Sequence, residues 1–179
     1  MIYVFLANGF EEIEALGTVD ILRRCELDVQ TVSITDSLQV KGSHGIVAEA
    51  DILFENLRED EADALILPGG LPGADNLENC KKLTDLLSSK AAEGKLLAAI
   101  CAAPKVFGVL GLLSGVKATC YPGFEAKLVG AFVKRKDVVS DKNFITAKAA
   151  GVTQKFAQAI AEYFGKGVVC RRVIKGMYY

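Results

Sequence analysis

Hydrophobic and polar positions follow two alternating patterns along the chain. Short apolar runs with the length of buried strands alternate with stretches in which apolar residues recur every three or four positions, as in helices. The strand patterns occupy residues 1–7, 29–34, 62–67, 95–100, 117–120, 138–139 and 144–147. The helical patterns occupy residues 11–25, 77–92, 106–113 and 153–164, and residues 40–47 predict a small hairpin.

This alternation predicts an α/β fold with three layers, in which helices cover both faces of a mostly parallel sheet. Residues 1–179 are predicted to form a single domain, since no repeat, linker or low-complexity tract interrupts them. Ligand sites in such sheets lie at the carboxyl ends of the strands. We therefore expect residues 8–14, the Pro68-Gly69-Gly70 turn and Cys101 to meet at one edge.

The composition of the chain argues against two classes of binding partner. With 21 basic and 22 acidic residues the net charge is -1, which provides no long-range attraction to nucleic acid or an anionic membrane. The longest apolar run, residues 96–104, is far shorter than the roughly 20 residues of a membrane-spanning helix. The first residues carry no basic segment of a secretory signal. We therefore predict a cytoplasmic protein with neither a nucleic-acid nor a membrane partner.

Cysteine and histidine usage argues against a metal centre. The five cysteines are widely spaced and form no C-x-x-C pair, which is typical of reduced thiols rather than zinc ligands. The only histidine, His44, lies in a glycine-rich segment, where we predict a surface or interface residue. The sequence therefore predicts neither a metal nor another cofactor.

Cys101 stands where the apolar run 96–100 meets the small residues Ala102 and Ala103. A thiol at this junction is typical of a nucleophile elbow, a sharp strand-to-helix turn that exposes one side chain at the end of a sheet. There it would face a helix N-terminus, whose free N–H groups are predicted to lower the pKa of the thiol. The alternative is an inert core cysteine, since free cysteines are among the most buried residues.

Two further segments supply candidate polar groups. Gly69 and Gly70 allow close approach and positive φ, so that one of their N–H groups and that of Ala102 could form an oxyanion hole; the alternative is an ordinary β-to-α turn. Glu11, Glu12 and Glu14 follow the first strand. One interpretation is that they are the solvated acidic start of a helix. The other is that one of them is a carboxyl that stays protonated beside a thiolate and carries protons.

Three motifs together resemble the ThiJ/PfpI superfamily, and within it the DJ-one/ThiJ-like branch associated with parkinsonism and deglycase activity. They are Glu11-Glu12-Ile13-Glu14, Leu67-Pro68-Gly69-Gly70 and Ala99-Ile100-Cys101-Ala102-Ala103-Pro104. The resemblance covers nearly the whole chain and implies a flavodoxin-like sandwich. It also implies a homodimer in which the first helix lies near the partner, with Arg24 and His44 at the interface.

The resemblance implies roles for four of these residues. Cys101 corresponds to the reactive cysteine of the family and Glu14 to the glutamic acid that forms a hydrogen bond with it. Gly70 and Ala102 correspond to the residues whose amides form the oxyanion hole. No cofactor is implied for this site.

The chain departs from the family pattern at two positions. Protease-like members follow their cysteine with a histidine, whereas this chain has Ala102, so peptide hydrolysis is not expected. Many deglycase-like members carry a histidine where this chain has Tyr121, before Pro122. We predict that the Tyr121 hydroxyl orients the substrate. Cys120 is a candidate second thiol, with a buried structural cysteine as the alternative.

Two functions follow from the resemblance. The first is a cofactor-independent glyoxalase or protein deglycase, in which Cys101 attacks a reactive dicarbonyl or glycated substrate and Glu14 moves the protons. The second is a sensor of oxidative stress or a redox-regulated chaperone without turnover, in which peroxide oxidises Cys101 to a sulfinate.

Overall fold

The computed structural model describes residues 1–178 and contains eleven strands and six α-helices in that range. The strands are β1 (Ile2–Leu6), β2 (Val29–Ser33), β3 (Gln39–Lys41), β4 (Val47–Glu49), β5 (Ile52–Leu53), β6 (Ala64–Leu67), β7 (Leu96–Ile100), β8 (Lys117–Ala118), β9 (Phe132–Val133), β10 (Val138–Asp141) and β11 (Phe144–Ala147). The helices are α1 (Glu12–Arg24), α2 (Gly73–Asn79), α3 (Lys81–Ala92), α4 (Pro104–Val109), α5 (Thr153–Tyr163) and α6 (Gly167–Gly176).

Seven strands form the central sheet in the order β10-β11-β7-β6-β1-β2-β5. Every neighbouring pair is parallel except β10 with β11. The parallel strands β1, β2, β6, β7 and β11, counted along the chain, lie in the order 2-1-3-4-5, which is that of flavodoxin-like folds. The predicted mostly parallel sheet is confirmed, and the order changes direction between β1 and β6.

Alternate side chains of the strands bury against two helical layers. Val4 and Ile66 pack with α1, α5 and α6 on one face, whereas Phe5 and Leu67 pack with α2, α3 and α4 on the other. The predicted three-layer α/β sandwich is therefore confirmed. Because strands of this sheet are covered on both sides, nearly every residue in β1, β6 and β7 is apolar and buried.

Several predicted boundaries were wrong. The helix predicted over 77–92 is two helices, because Cys80 adopts an extended conformation between them. The helix predicted over 106–113 covers only Pro104–Val109, and the left-handed Gly111 follows it. The strand predicted over 117–120 is limited to Lys117–Ala118, which pairs with β9 outside the main sheet.

The remaining strands and helices either agree with the predictions or were not predicted. The hairpin predicted over 40–47 is formed by β3 and β4, and the predicted pair of strands near the C-terminal end is β10 and β11. The short β5 and the whole of α6 were not predicted. Within residues 1–178, no helix combines the length and apolarity needed to cross a membrane.

Candidate active site

Cys101 is the first residue after β7 and lies in a sharp turn before α4. Its φ of 63° is in the left-handed region, which is unfavourable for a residue with a side chain. Two hydrogen bonds fix its backbone: its N–H donates to the Ala147 carbonyl (2.9 Å) and its carbonyl accepts from the Tyr121 N–H (2.8 Å). This is the geometry that the predicted elbow requires, while the role of the sulfur as a nucleophile stays a prediction.

Gly69 and Gly70 pass between the start of α1 and Cys101. A Cβ atom on Gly69 would lie 2.7 Å from Cys101 Cβ and 2.7 Å from Glu14 Oε2, so only glycine fits there. Gly70 has a φ of 88°, and a Cβ atom on it would lie 2.4 Å from the backbone nitrogen of Glu11. The turn is thus built so that its backbone, rather than side chains, touches the candidate site, as predicted from the adjacent glycines.

Glu14 lies in the first turn of α1, and its carboxyl group is buried against the Gly69-Gly70 turn. Only 1% of the residue is exposed. Its Oε2 accepts a hydrogen bond from the Gly69 N–H (2.8 Å), whereas Oε1 is buried without a hydrogen-bond partner of good geometry. Burial, followed by the nearby charge of Glu11, raises the pKa of Glu14 to about 7, although hydrogen bonds from Gly69 and Cys101 oppose the shift. The carboxyl therefore exchanges its proton near neutral pH.

The sulfur of Cys101 lies between that carboxyl and two backbone amides. Burial, followed by the charge of Glu14 and the hydrogen bond to it, raises the pKa of the thiol to about 12. The N–H groups of Ala102 and Gly70 act in the opposite direction. The predicted lowering of this pKa was wrong, because the adjacent α4 has only six residues and its N-terminus does not outweigh burial and the neighbouring carboxylate.

At pH 7 the thiol keeps its proton and the carboxyl is about half protonated, and above pH 7 the pair holds one proton, which is on the sulfur. With the proton on sulfur, Glu14 is a carboxylate in contact with a thiol and can accept its proton as the sulfur forms a bond. The amides of Gly70 and Ala102 lower the pKa of the thiol, and they would also stabilise an oxygen that develops charge on an atom bonded to the sulfur. The arrangement is suited to adding a thiol to an electrophilic carbon.

Glu12 serves the fold rather than this site. Only 5% of Glu12 is exposed. Its carboxylate accepts hydrogen bonds from the backbone N–H groups of His44 (2.7 Å) and Ile46 (3.4 Å) and from the His44 ring (2.7 Å). Burial opposes ionisation, but these hydrogen bonds prevail and lower the pKa of Glu12 to about 2. Glu12 thereby holds the hairpin of β3 and β4 against α1, a role that the sequence analysis did not predict.

The same contacts bring Glu11, Glu12 and His44 together, with one ligand atom of each within 4.8 Å of the others. Both oxygens of the Glu12 carboxylate are already engaged by hydrogen-bond donors of the hairpin. Hydrogen bonding by His44 and then the charge of Glu12 raise the pKa of the imidazole, which favours the protonated form that cannot bind a metal. His44 is exposed, as predicted, and the prediction of no metal stays a prediction.

The backbone N–H of Tyr121 donates a hydrogen bond to the Cys101 carbonyl, which brings Tyr121 and the preceding residue, Cys120, close to Cys101. The Tyr121 side chain is about half exposed, and its predicted role in orienting a substrate stays a prediction. Cys120 is buried and lines a cavity of about 270 Å³ together with basic residues that include Lys134 and Arg135. Burial and then the charge of Glu125 raise the pKa of Cys120 to about 11. A second-thiol role for Cys120 stays a prediction.

The chain is similar to curated proteins over most of its length. The DJ-1/PfpI family model matches residues 1–163. Protein DJ-1 homolog B of Arabidopsis thaliana is 40% identical over 159 residues, which are 88% of this chain and 36% of that protein. Protein dj-1beta of Drosophila melanogaster is 36% identical over 97% of this chain and 94% of that protein. Deglycase PfpI of Pyrococcus furiosus is 30% identical over 81% of this chain and 87% of that protein.

A solved structure extends the similarity to three dimensions. Oxidized DJ-1 of Toxoplasma gondii superposes with a TM-score of 0.94 at 32% identity, covering 99% of this chain and 97% of that one. The chain spans only 36% and 42% of the length of the two Arabidopsis relatives, DJ-1 homologs B and A.

Proposed function

The chain belongs to the DJ-1/PfpI family, and from that premise we propose that it is a cofactor-independent enzyme for reactive dicarbonyls, acting through Cys101 and Glu14. The observation that carries the proposal is that Cys101 and the buried Glu14 carboxyl meet at Gly69, where a Cβ atom would lie 2.7 Å from both Cys101 Cβ and Glu14 Oε2. The pKa of that carboxyl is about 7. The substrate is methylglyoxal or an early glyoxal adduct of a protein or nucleotide. A relative carries the name deglycase, which agrees with this substrate class. Peptide hydrolysis is not proposed, since Ala102 replaces the histidine that protease-like members carry.

The first step joins the substrate to the protein. The Cys101 sulfur adds to the aldehyde carbon, and the electrons of the carbonyl double bond move to its oxygen. Glu14 accepts the thiol proton and passes it to that oxygen, which leaves a neutral hemithioacetal and a carboxylate again. The amides of Gly70 and Ala102 stabilise the transient negative oxygen, and the buried carboxyl needs no rearrangement because Gly69 holds it in place.

The second step moves a proton between the two carbons of the former dicarbonyl. Glu14 removes the hydrogen from the carbon bonded to sulfur, and the resulting enediolate is stabilised by the same amides. Glu14 then protonates the second carbon, and the hydroxyl proton on the carbon bonded to sulfur moves to the oxygen of the second carbon, which gives a lactoyl thioester of Cys101. Water hydrolyses that thioester to lactate and restores the thiol, so the net reaction adds one water to methylglyoxal.

Proton NMR of the reduced protein with methylglyoxal tests this function. Lactate should form catalytically, and in deuterium oxide the hydrogen on its second carbon should be partly replaced by deuterium through exchange at Glu14. Protein whose Cys101 has been alkylated with iodoacetamide serves as the control. Absence of lactate, with Cys101 verified as a free thiol by mass spectrometry, would exclude the enzyme proposal.

Activity should depend on pH through Glu14. Below about pH 7 the carboxyl becomes protonated and cannot accept the thiol proton, so kcat/KM should fall about tenfold for each further pH unit. Above about pH 7 the value should be constant until pH 9 or beyond. The measurement is kcat/KM from pH 5.5 to 9, and a flat profile through pH 7 would contradict the role given to Glu14.

The second proposed function is a cysteine-based sensor of oxidative stress or a redox-regulated chaperone. The surroundings of Cys101 favour it, because two amides and a carboxyl that can hold a proton would stabilise the oxygens of a sulfinate. A relative with the same fold has been solved in an oxidized form. Turnover of methylglyoxal by reduced protein distinguishes the two functions, since a sensor needs no turnover.

We also propose that the chain forms a homodimer through α1 and the adjacent hairpin. Ile13 (60% exposed) and Leu16 lie on α1, and Ile46 and Val47 (each 56% exposed) lie on the hairpin that Glu12 holds against it. This apolar group would be covered by the same group of a second copy. Sedimentation should give a dimer for the parent and a monomer for Ile13→Asp. The matched variant Val168→Asp, on the exposed side of α6, should remain a dimer, and a monomeric parent would refute the proposal.

Arg24 and His44 are part of the same proposal, although each already has a partner within the chain. Arg24 forms an ion pair with Asp20 (2.9 Å) on α1, and His44 pairs with Glu12 (2.7 Å). Both side chains are largely exposed and remain accessible to a second copy. The five cysteines are free thiols, which agrees with the proposed cytoplasmic location.

A further inference from the structure

The cavity that Cys120 lines carries an excess of positive charge. Its basic residues are Lys134, Arg135 and Lys148, and its one acidic residue is Glu125. Three cations against one carboxylate give the lining a net charge of +2. With a volume of about 270 Å³, the cavity can hold a small organic anion.

Two walls of this cavity begin beside the backbone partners of Cys101. The Cys101 carbonyl accepts a hydrogen bond from the Tyr121 N–H (2.8 Å), and Cys120, the preceding residue, lines the cavity. The Cys101 N–H donates to the Ala147 carbonyl (2.9 Å), and Lys148, the following residue, also lines the cavity. The cavity therefore adjoins the turn that holds the reactive thiol.

Hydrogen bonds fix the two segments that carry the lysines. The N–H of Lys134, which follows β9, donates to the Ala118 carbonyl on β8 (2.8 Å). The N–H of Lys148, which follows β11, donates to the Asp137 carbonyl (2.9 Å). Because the backbone on both sides is already ordered, an anion that binds here has little chain to immobilise.

The positive charges of the cavity are not neutralised within the fold. Asp137 forms an ion pair with Lys155, and the Glu125 carboxylate accepts a hydrogen bond from the Gly123 N–H (2.7 Å). Within residues 1–178, none of the three basic residues of the cavity forms an ion pair. Their charges are available to a ligand.

We propose that this cavity is an anion subsite of the candidate active site and binds the phosphate group of a small phosphorylated substrate. The inference rests on the proposed function, since the reactive carbon of that substrate is the one that Cys101 attacks. The guanidinium of Arg135 offers a planar fork of donors that matches two phosphate oxygens, and the lysines add point charges. A phosphate monoester carries about −1.5 to −2 charges at neutral pH, which suits this lining better than the single charge of a carboxylate.

Isothermal titration calorimetry with glycerol 3-phosphate tests the subsite without any need for turnover. The parent should bind this probe with a Kd in the millimolar range or tighter and should not bind glycerol. Glycerate, which presents a carboxylate on a similar carbon chain, should bind about tenfold more weakly. Absence of binding by glycerol 3-phosphate overturns the proposal, and equal affinity for glycerate overturns the assignment of phosphate in favour of a carboxylate.

Two neighbouring substitutions separate a positioned site from general surface charge. Arg135→Gln should raise the Kd of glycerol 3-phosphate by about tenfold, since a charge-assisted hydrogen bond is lost. Lys136→Gln removes the same charge one position further on, from a side chain that lines a different cavity, and should keep the parent's Kd. Both side chains are exposed, so neither change should disturb the fold. Equal losses in the two variants would overturn the subsite.

Protection of Cys101 from iodoacetamide tests whether the subsite belongs to the candidate active site. Glycerol 3-phosphate at ten times its Kd should slow alkylation of Cys101, in the tryptic peptide 96–105, by about tenfold. Alkylation of Cys80, in the tryptic peptide 59–81, should be unchanged. Binding without protection of Cys101 would overturn the inference. Since neither readout involves turnover, a protein that binds and is protected but forms no lactate would contradict the proposed reaction and leave the subsite standing.

Discussion

Replacing Cys101 with serine is expected to lower the turnover of methylglyoxal by at least about 10³-fold. The substitution changes one atom and preserves the left-handed turn, so the loss reports chemistry rather than folding. A serine hydroxyl is a far weaker acid than a thiol, and a carboxylate whose pKa is about 7 cannot deprotonate it to a useful extent. The measurement is kcat/KM by lactate formation, together with circular dichroism of the variant.

Two other cysteine variants make the result specific. Cys80→Ser alters a thiol between α2 and α3 and should retain full turnover. Cys120→Ser separates a second-thiol role from a structural one: a structural cysteine leaves turnover and its recovery after mild oxidation unchanged, whereas a second thiol is needed for that recovery. Should Cys101→Ser retain a tenth or more of the parent's turnover, the covalent step would have to be abandoned.

The sequence was sufficient to predict which segments meet at the site. Parallel strands share their carboxyl edge, so residues following β1, β6 and β7 had to converge once the alternating pattern was identified. The hydrogen bond from Gly69 to Glu14 confirms that convergence, as does the space at Gly69, where a Cβ atom would lie 2.7 Å from Cys101 Cβ. The resemblance to the family added Glu14 as the specific carboxyl, which the residues alone did not single out from Glu11 and Glu12.

The sign of the pKa shift at Cys101 could not be predicted in the same way. A local pattern reveals a helix N-terminus after the thiol, but burial and the distance to a carboxyl 87 positions earlier are properties of the folded chain. Pattern reasoning could have found α6, since Cys170, Val173, Ile174 and Met177 have helical spacing.

Replacing Glu14 with glutamine is expected to remove activity and stabilise the fold at the same time. Turnover should fall by about 10²–10⁴-fold, because an amide accepts no proton from the thiol. The amide oxygen can still accept the hydrogen bond from Gly69, and the amide nitrogen can donate to the Cys101 sulfur. The side chain is therefore retained in place while its proton chemistry is lost.

The stability effect follows from the pKa of Glu14. Its value rises from 4.5 to about 7 on folding, so the folded protein binds the proton more tightly than the unfolded chain. The contribution of this group to the stability of the parent is therefore greatest below pH 4.5. As the pH rises from 4.5 through 7, the free energy of unfolding falls by about 3 kcal/mol. Glutamine has no charge to bury, so the variant should exceed the parent by up to that amount at pH 8 and nearly match it at pH 5.

Urea unfolding of parent and Glu14→Gln at pH 5 and pH 8 measures this difference, and Glu12→Gln is the matched control. The pKa of Glu12 is lowered to about 2, so its ionised form stabilises the fold above about pH 4.5 and that stability is lost only as the pH falls towards 2. Glu12→Gln should accordingly lower the free energy of unfolding at pH 8, where Glu14→Gln should raise it. Equal effects of both substitutions at pH 8 would show that the two carboxyls have similar surroundings, and the proposed proton carrier would lose its physical basis. Opposite effects would mean that the same burial that costs stability also brings the pKa of Glu14 to the value that proton transfer at neutral pH requires.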